Sequence, residues 1–316
     1  MTGHPTGRTS RIWRDGRLVP WEAATVHVMA HALHYGSSVF EGVRVYETPD
    51  GPAIFRAREH MRRLHDSARI YRMPMRWSVD ELIQAACETV AANGLSHCYL
   101  RPLAVRTGEQ MGVLGTAAPV ETFIIAWNWG AYLGTEALES GVDVCVSSWR
   151  RAAPSTFPTL AKAGGNYLNS QLTKMEARAD GFAEGIMLDV QGLIAEGSGE
   201  NLFLVRDEVL YTSPLDTGIL NGITRDSVLA IAREMGIAVR EAALPREMLY
   251  VADELFFTGT AAELTPIRSV DHIQVGEGRP GPITRAIQEE FLGIAKGRRP
   301  DRHGWLTPVP AAAAAT

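Results

Sequence analysis

Three cysteines in 316 residues, Cys87, Cys98 and Cys145, are too few and too scattered for a disulfide framework or a zinc site. No apolar run exceeds a few residues, Phe123-Ile124-Ile125-Ala126-Trp127 among them, so nothing reads as a membrane-spanning helix. The opening MTGHPTGRTSRIW has no apolar core of a secretion signal, and a soluble, cytoplasmic protein is expected. Excess charge is also lacking: the formal net charge of -5 gives no general attraction to nucleic acid or anionic membrane. Lysine is the scarcest polar residue. It occurs only at Lys162, Lys174 and Lys296, and every other one of the 31 basic residues is arginine. Chemistry that needs a side-chain amine therefore has three candidates.

What is present is ordinary globular composition, 46% hydrophobic and 21% charged, in a length that suits two domains. The first half reads as hairpins beside two helices. Asp15-Gly16 divides Ile12-Trp13 from Leu18-Val19, and Pro49-Asp50-Gly51 divides a strand over Val39–Tyr46 from Ala53–Phe55. Met61, Leu64, Ala68 and Tyr71 recur at helical steps, and a capping box at Ser78 and Glu81 opens a second helix that stops at Asn93-Gly94. Strands are expected over Cys98–Val105 and Val120–Trp127. The stretch GAYLGTEALESG, 130–141, reads as a linker. Beyond it come a strand at Val142–Ser147 and a helix over Gly165–Ala179. Four short strands follow between Ile186 and Tyr211, then helices from Ile223 to Gly236 and from Ile283 to Lys296.

Several motifs mislead on inspection. EGSGEN, 196–201, looks like a nucleotide loop but is followed by a strand rather than a helix. His27, His31 and His34 have metal-ligand spacing but no accompanying acid, so hydrogen-bonded histidines are expected. Among the lysines, Lys174 lies on a helix carrying both charge signs and reads as solvated, and Lys296 precedes the helix stop Gly297. Lys162 differs. Its setting TLAKAGGNY is small and nearly apolar, which suits imine chemistry with a carbonyl; a buried lysine paired with a carboxylate is an equal reading on local sequence. Asn221-Gly222-Ile223-Thr224 opens a helix whose first N–H groups could hold an anion, and Thr258-Gly259-Thr260 forms another hydroxyl-rich corner. With Lys162 they fit a phosphate-bearing aldehyde, pyridoxal phosphate.

Longer strings carry a resemblance. HALHYGSSVFEGVR (31–44), AREHMRRLHDSARIYRMP (57–74), YLRPL (99–103), WGAYLG (129–134) and SSWRRAAPSTFPTLAKAGGNYL (147–168) resemble the branched-chain-amino-acid aminotransferases. So do EGSGENLF (196–203), GITRDSVL (222–229) and FTGTAAELTPIRSVD (257–271), all in the family's order. The resemblance implies an α+β fold of type IV among the pyridoxal-phosphate enzymes. A small domain over 1–130, an interdomain loop over 131–140 and a larger pseudo-barrel domain over 141–316 are expected. It also implies a homodimer at least, with a hexamer open, small-molecule substrates, and neither nucleic acid nor membrane as partner.

The same resemblance assigns roles. Lys162 would be the Schiff-base lysine and the acid/base that moves the substrate proton. Glu196 would face the pyridine nitrogen and keep the ring an electron sink. Tyr167 would bond the ring's O3′, Leu220 would pack under the ring, and Arg63, Ile223, Thr224 and Thr260 would cradle the phosphate. Tyr35, Phe40, Trp129, Tyr132 and Tyr167 would wall an apolar substrate pocket, with Val113, Thr260 and Ala261 also touching substrate. The Met111-Gly112-Val113 loop would reach across the dimer. Tyr99 and Arg101 would handle carboxylates, Arg101 taking the side chain of glutamate. One pocket must admit leucine and glutamate in turn, so a cation at an apolar wall answers a physical need: a carboxylate buried unpaired is far costlier than a Leu-sized side chain is favourable, at roughly 2 kcal/mol.

The rivals share the scaffold: D-amino-acid aminotransferases, R-selective amine transaminases and aminodeoxychorismate lyase. Against them stand the Tyr99-Leu100-Arg101 pattern and the HALHYGSSVFEG segment. A non-catalytic cofactor carrier would not need the Lys162–Glu196–Tyr167 set, and a metal hydrolase would rest on the three histidines.

Overall fold

The computed structural model describes residues 9–109, 111–130 and 134–310, and the chain divides into two compact units. One comprises Met1–Trp129, Ala161–Gly165 and Gly293–Thr316; the other comprises Gly130–Leu160 and Asn166–Leu292. The division differs from the three consecutive segments expected from sequence. The five residues around Lys162 and the chain's end belong with the first unit, because Ala163 bridges Val39 and the last strand adds to the first unit's sheet.

The first unit begins with β1 (Arg11–Arg14) and β2 (Arg17–Pro20). Both turn residues have positive φ, 47° at Asp15 and 99° at Gly16, and the Trp77 indole donates to Asp15 while its ring covers Gly16. Next come α1 (His31–Tyr35), β3 (Ser38–Phe40), β4 (Val43–Thr48) and β5 (Gly51–Phe55). The single strand expected over Val39–Tyr46 is broken at Glu41-Gly42. The Tyr99 hydroxyl lies against Gly42, 1.8 Å from where a Cβ would stand, and the chain must step around it. Helices α2 (Ala57–Ile70) and α3 (Val79–Ala92) follow, the latter with its Ser78–Glu81 capping box formed. Strands β6 (Cys98–Arg106) and β7 (Val120–Trp127) complete the run. The sheet is antiparallel throughout. Its core joins Met61, Leu64, Leu82 and Val90 of the helices to Val43, Val45, Ile54, Leu100 and Ile124 of the strands, all inaccessible to solvent.

In the second unit, α4 (Thr135–Ser140) folds part of the stretch expected to be linker. It is followed by β8 (Val142–Arg150), α5 (Tyr167–Ala179), β9 (Glu184–Leu188), β10 (Ile194–Gly197), β11 (Asn201–Arg206) and β12 (Val209–Thr212). Then come α6 (Ile223–Glu234), β13 (Ala238–Glu241), α7 (Met248–Val251), β14 (Glu254–Gly259), β15 (Glu263–Val270) and β16 (Ile273–Gln274). Helix α8 (Pro282–Ala295) follows, and β17 (Leu306–Pro308), which belongs to the first unit, ends the chain order by pairing with β5 there. Strand β10 pairs with both β9 and β11, so β10-β9-β8-β15-β14-β11 closes on itself as a six-stranded barrel. The pairings of β8 with β9 and with β15 are parallel and the others in the ring antiparallel. Ile186, Leu188, Ile194, Leu202, Leu204, Leu255 and Phe257 form a buried cluster at period-two spacing.

Candidate active site

In the first unit Lys162 is held by its backbone. Its N–H donates to Ser67 Oγ at 3.0 Å, and its carbonyl accepts from Phe40 N at 3.0 Å. Glycines permit this close approach: Gly164 lies on Ser38 Oγ, and Gly165 on the Gly36 backbone. The Lys162 ammonium sits 5.1 Å from the Phe40 ring centroid.

Arg101 lies over the same ring, 4.5 Å from its centroid, with Tyr99 and Trp127 at 5.5 and 5.9 Å. Its Nη2 donates to the Tyr99 hydroxyl at 3.3 Å, and its buried Nε has no hydrogen-bond partner. Tyr99 in turn meets Trp129 edge-on at 4.7 Å, and Arg44 fixes the Trp129 carbonyl at 2.8 Å. Here is a guanidinium among aromatic rings, paired with no carboxylate among the described residues. Such a cation is predisposed to take an anion.

Arg63, assigned to a phosphate, is also committed to a residue the sequence reading passed over. Its Nε and Nη2 form a two-pronged bond to Glu41 at 2.7 and 2.8 Å, and His60 Nδ1 donates to Glu41 at 2.6 Å. Glu41 is wholly buried. Burial alone would raise its pKa, but the Arg63 charge and hydrogen bonds from Arg63 and His60 outweigh it, holding the carboxyl well below the usual carboxylate range. Burial lowers the pKa of His60 against the pull of Glu41, with the Arg63 and Lys162 charges acting in the same direction as burial. The signal in the sequence was the i, i+3 spacing of His60 and Arg63 on one face of α2, beside the charged Glu41 in an apolar segment.

In the second unit Glu196, 6% exposed, is fixed on β10 by three donors. Arg151 reaches Oε1 at 2.9 Å, and the Asn201 amide and the Leu220 N–H reach Oε2 at 2.9 and 3.0 Å. Asn201 also donates to the Leu220 carbonyl, at 3.0 Å, and its Oδ1 leaves room only for glycine at 222. Gly222 is the N-cap of α6 and supplies no side-chain cap to the N–H groups of the first turn, where buried Ile223 and Thr224 stand. Across from Asn201 in the β11–β14 register lies Thr258, buried, with its hydroxyl unpartnered. An uncapped helix start beside an orphaned buried hydroxyl fits a phosphate, and a carboxylate locked on neighbouring β10 fits a pyridine nitrogen. Thr260 and Ala261 are half-buried in the turn after β14, and Tyr167 begins α5.

Two more acids stand behind Glu196. Glu184 Oε2 is bonded at 2.5 Å to Lys174, which also donates to the Ala183 carbonyl at 2.9 Å. Lys174 is therefore not the solvated residue expected, because α5 lies along β9 and carries its amine to a buried acid. Glu200 accepts from the Gly199 N–H at 3.0 Å. Burial and the Glu184 carboxylate push it up to about 8, against Lys174 and that N–H.

The first unit thus gathers Lys162, Phe40, Tyr99, Arg101 and Trp129. Tyr35 and Val113 are not packed among them: Tyr35 is 40% exposed and its hydroxyl accepts from Gly112 N at 3.1 Å, and Val113 is 85% exposed on the β6–β7 loop. Tyr132 lies outside the described residues. The three histidines bond separately, His27 to the Met29 N–H, His31 to Ser37 and Gly112, and His34 to the Val28 carbonyl.

The chain belongs to the class IV aminotransferases, whose family profile matches residues 38–270. Within them it is 56% identical over 305 residues to the branched-chain-amino-acid aminotransferase of Escherichia coli strain K12, covering 96% of this chain and 99% of that one. The crystal structure of the Escherichia coli branched-chain amino acid aminotransferase superimposes with a TM-score of 0.94, covering 96% of this chain and all of that one. The branched-chain amino acid aminotransferase of Thermobaculum terrenum, in its PLP-containing holo-form, is 37% identical and superimposes with a TM-score of 0.91, again covering 96% and 100%.

Proposed function

We propose that this chain is a branched-chain-amino-acid transaminase. It moves the amino group of L-leucine, L-isoleucine or L-valine to 2-oxoglutarate, with pyridoxal 5′-phosphate as carrier. The observation that carries this reading is Arg101, a cation in an aromatic wall with no carboxylate partner among the described residues. An apolar side chain finds ring surface there, and a glutamate side chain finds a charge partner.

Bound pyridoxal phosphate supplies an aldehyde to accept the amine and a ring to take up the electron pair of the broken Cα–H bond. The residues do the rest. Lys162 Nζ would be the amine that holds the cofactor's carbonyl carbon, and it would accept the proton from the substrate Cα. Glu196, locked by Arg151, Asn201 and the Leu220 amide, presents a fixed negative charge to the ring nitrogen. The N–H groups of Ile223 and Thr224, with Thr260 and Arg63, hold the phosphate, Tyr167 takes the ring oxygen, and Leu220 supports the ring face. Phe40, Tyr35, Trp129, Tyr132, Val113 and Ala261 exclude water around the aliphatic side chain.

We further assign the working form as a homodimer at least, in the cytoplasm. Supporting this, Met111, Val113 and Leu114 are 54, 85 and 83% exposed, an apolar tip that a second copy would cover. Among the described residues no helix is long and apolar enough to cross a membrane. The test is the visible spectrum of the purified protein before and after L-leucine and, separately, D-alanine. Loss of the bound cofactor's band with L-leucine alone is expected. Bleaching by D-alanine instead would move the assignment to the D-amino-acid enzymes.

A further inference from the structure

The loop from Thr107 to Pro119 presents an apolar tip, yet its backbone is tied down at several points by α1. His31 is the centre of these ties. Its N–H donates to the Gly108 carbonyl at 2.9 Å, and its ring, 3% exposed, bonds Gly112 O through Nε2 at 3.0 Å and Ser37 Oγ through Nδ1 at 2.7 Å. A carbonyl can only accept, so Nε2 carries the proton; in the neutral imidazole Ser37 then donates to Nδ1. The Tyr35 ring lies 4.6 Å from the His31 ring, and its hydroxyl accepts from Gly112 N. Both polar groups of the Gly112 residue are thereby engaged by α1. Gly115 completes the clasp: a Cβ there would lie 2.5 Å from His31 Cε1. Its backbone is not left-handed, so the imidazole alone forbids a side chain at 115. At the loop's root Arg106, buried with carbonyl partners only, donates to Gly115 O at 2.5 Å and Arg72 O at 2.8 Å.

We propose that His31 is a positioning residue for substrate recognition: it fixes the backbone at Gly108, Gly112 and Gly115 and so sets where Val113, assigned above to the substrate pocket, is presented to the amino-acid side chain bound by a second copy. It takes no part in proton transfer. The kinetic half of this inference rests on the transaminase reading, whereas the clasp itself does not.

The test uses the holoenzyme with four changes: His31→Ala, His31→Gln, Gly115→Ala and the double variant. Hydrogen exchange of 108–115 is expected to quicken in His31→Ala and Gly115→Ala. KM for L-leucine is expected to rise about tenfold in both, with kcat within about twofold of the parent, the pattern of lost binding rather than lost chemistry. His31→Gln keeps an N–H near Nε2 and is expected to recover most of the KM. Gly115→Ala should cost nothing further once His31 is alanine, since the clash it creates is with that ring. Unchanged exchange in both single variants overturns the clasp. Faster exchange with unchanged KM, or additive losses in the double variant, overturns the positioning role. Failure of the parent's spectrum to respond to L-leucine would overturn the transaminase reading alone, because exchange reports the clasp without turnover.

Discussion

The two units bury charge in opposite ways. In the first, Glu41 is sealed from water with a guanidinium and an imidazole against it, and it stays ionised. In the second, Glu200 is nearly as well sealed with one backbone N–H and two other carboxylates nearby, and burial pushes it up to about 8, toward its protonated form. Burial acts identically on both; the neighbours decide. The first unit also keeps a cation, Arg101, without an anion among the described residues, while the second ties Arg151 to Glu196 and Lys174 to Glu184. One unit holds charge in reserve for something that arrives, and the other satisfies its charges internally.

The largest effect tests the amine on the first unit's side. Lys162→Ala is expected to lower single-turnover transfer from L-leucine by about 10³-fold or more, the scale of a lost acid/base. With the phosphate proposed to sit at the α6 N-terminus, bound cofactor should remain by spectrum, and near-normal transfer would end the assignment. Next is the reserve cation. Arg101→Leu removes a charge-assisted pair worth roughly 3 kcal/mol, so the 2-oxoglutarate half-reaction is expected to slow about 10²-fold. The leucine half-reaction should change far less, and rapid-mixing measurements of each half separate them. Equal losses would mean that Arg101 merely supports the wall.

Glu41→Gln tests the compensated acid. It leaves the Arg63 charge without its buried partner, and a loss of about 3 kcal/mol or more in denaturant-unfolding stability is expected, with weaker cofactor retention on dialysis. If the variant is as stable as the parent, the pair is not what keeps this part of the unit folded. Glu200→Gln should have the smallest effect, leaving kcat unchanged at pH 7. Its signature is in stability. The folded-state pKa of Glu200 lies above the ordinary value of 4.5, so the folded protein retains a proton there that the unfolded chain releases. Stability from this group is complete below about pH 4.5 and is lost as pH rises toward 8. Thermal midpoints between pH 5 and 9 should therefore fall less steeply in Glu200→Gln, and parallel slopes would contradict the assignment.

Much of this was legible in the residues themselves. Asp15-Gly16, the Ser78–Glu81 box and the 3.6-residue spacing of Met61, Leu64 and Ala68 act locally, and each formed the element it signals. Lys162 stood out because lysine is so rare. Partnerships were harder to read. Glu41 meets His60 and Arg63 across 19 and 22 residues, and Glu196 meets Arg151 across a helix and a strand, distances over which sequence carries no register. Lys174 was misread for the same reason: the helical pattern shows its charged neighbours, whereas the acid that captures it lies on β9. The break at Glu41-Gly42 likewise depended on where Tyr99 would place its hydroxyl.

The barrel's closure has a consequence for the chain in crowded solution. Six strands that pair in a ring expose no backbone rim there; besides the two-residue β16 on β15, the path that leaves the ring runs through β12 to β13, whose far side is an open border. That border is four residues long and carries Arg240 and Glu241, with Glu241 held by Arg225 at 2.7 Å and Arg233 at 3.6 Å. A short, charged hem of this kind is a poor template for a stray strand. The second unit can thus sit beside many copies of itself without their sheets knitting together.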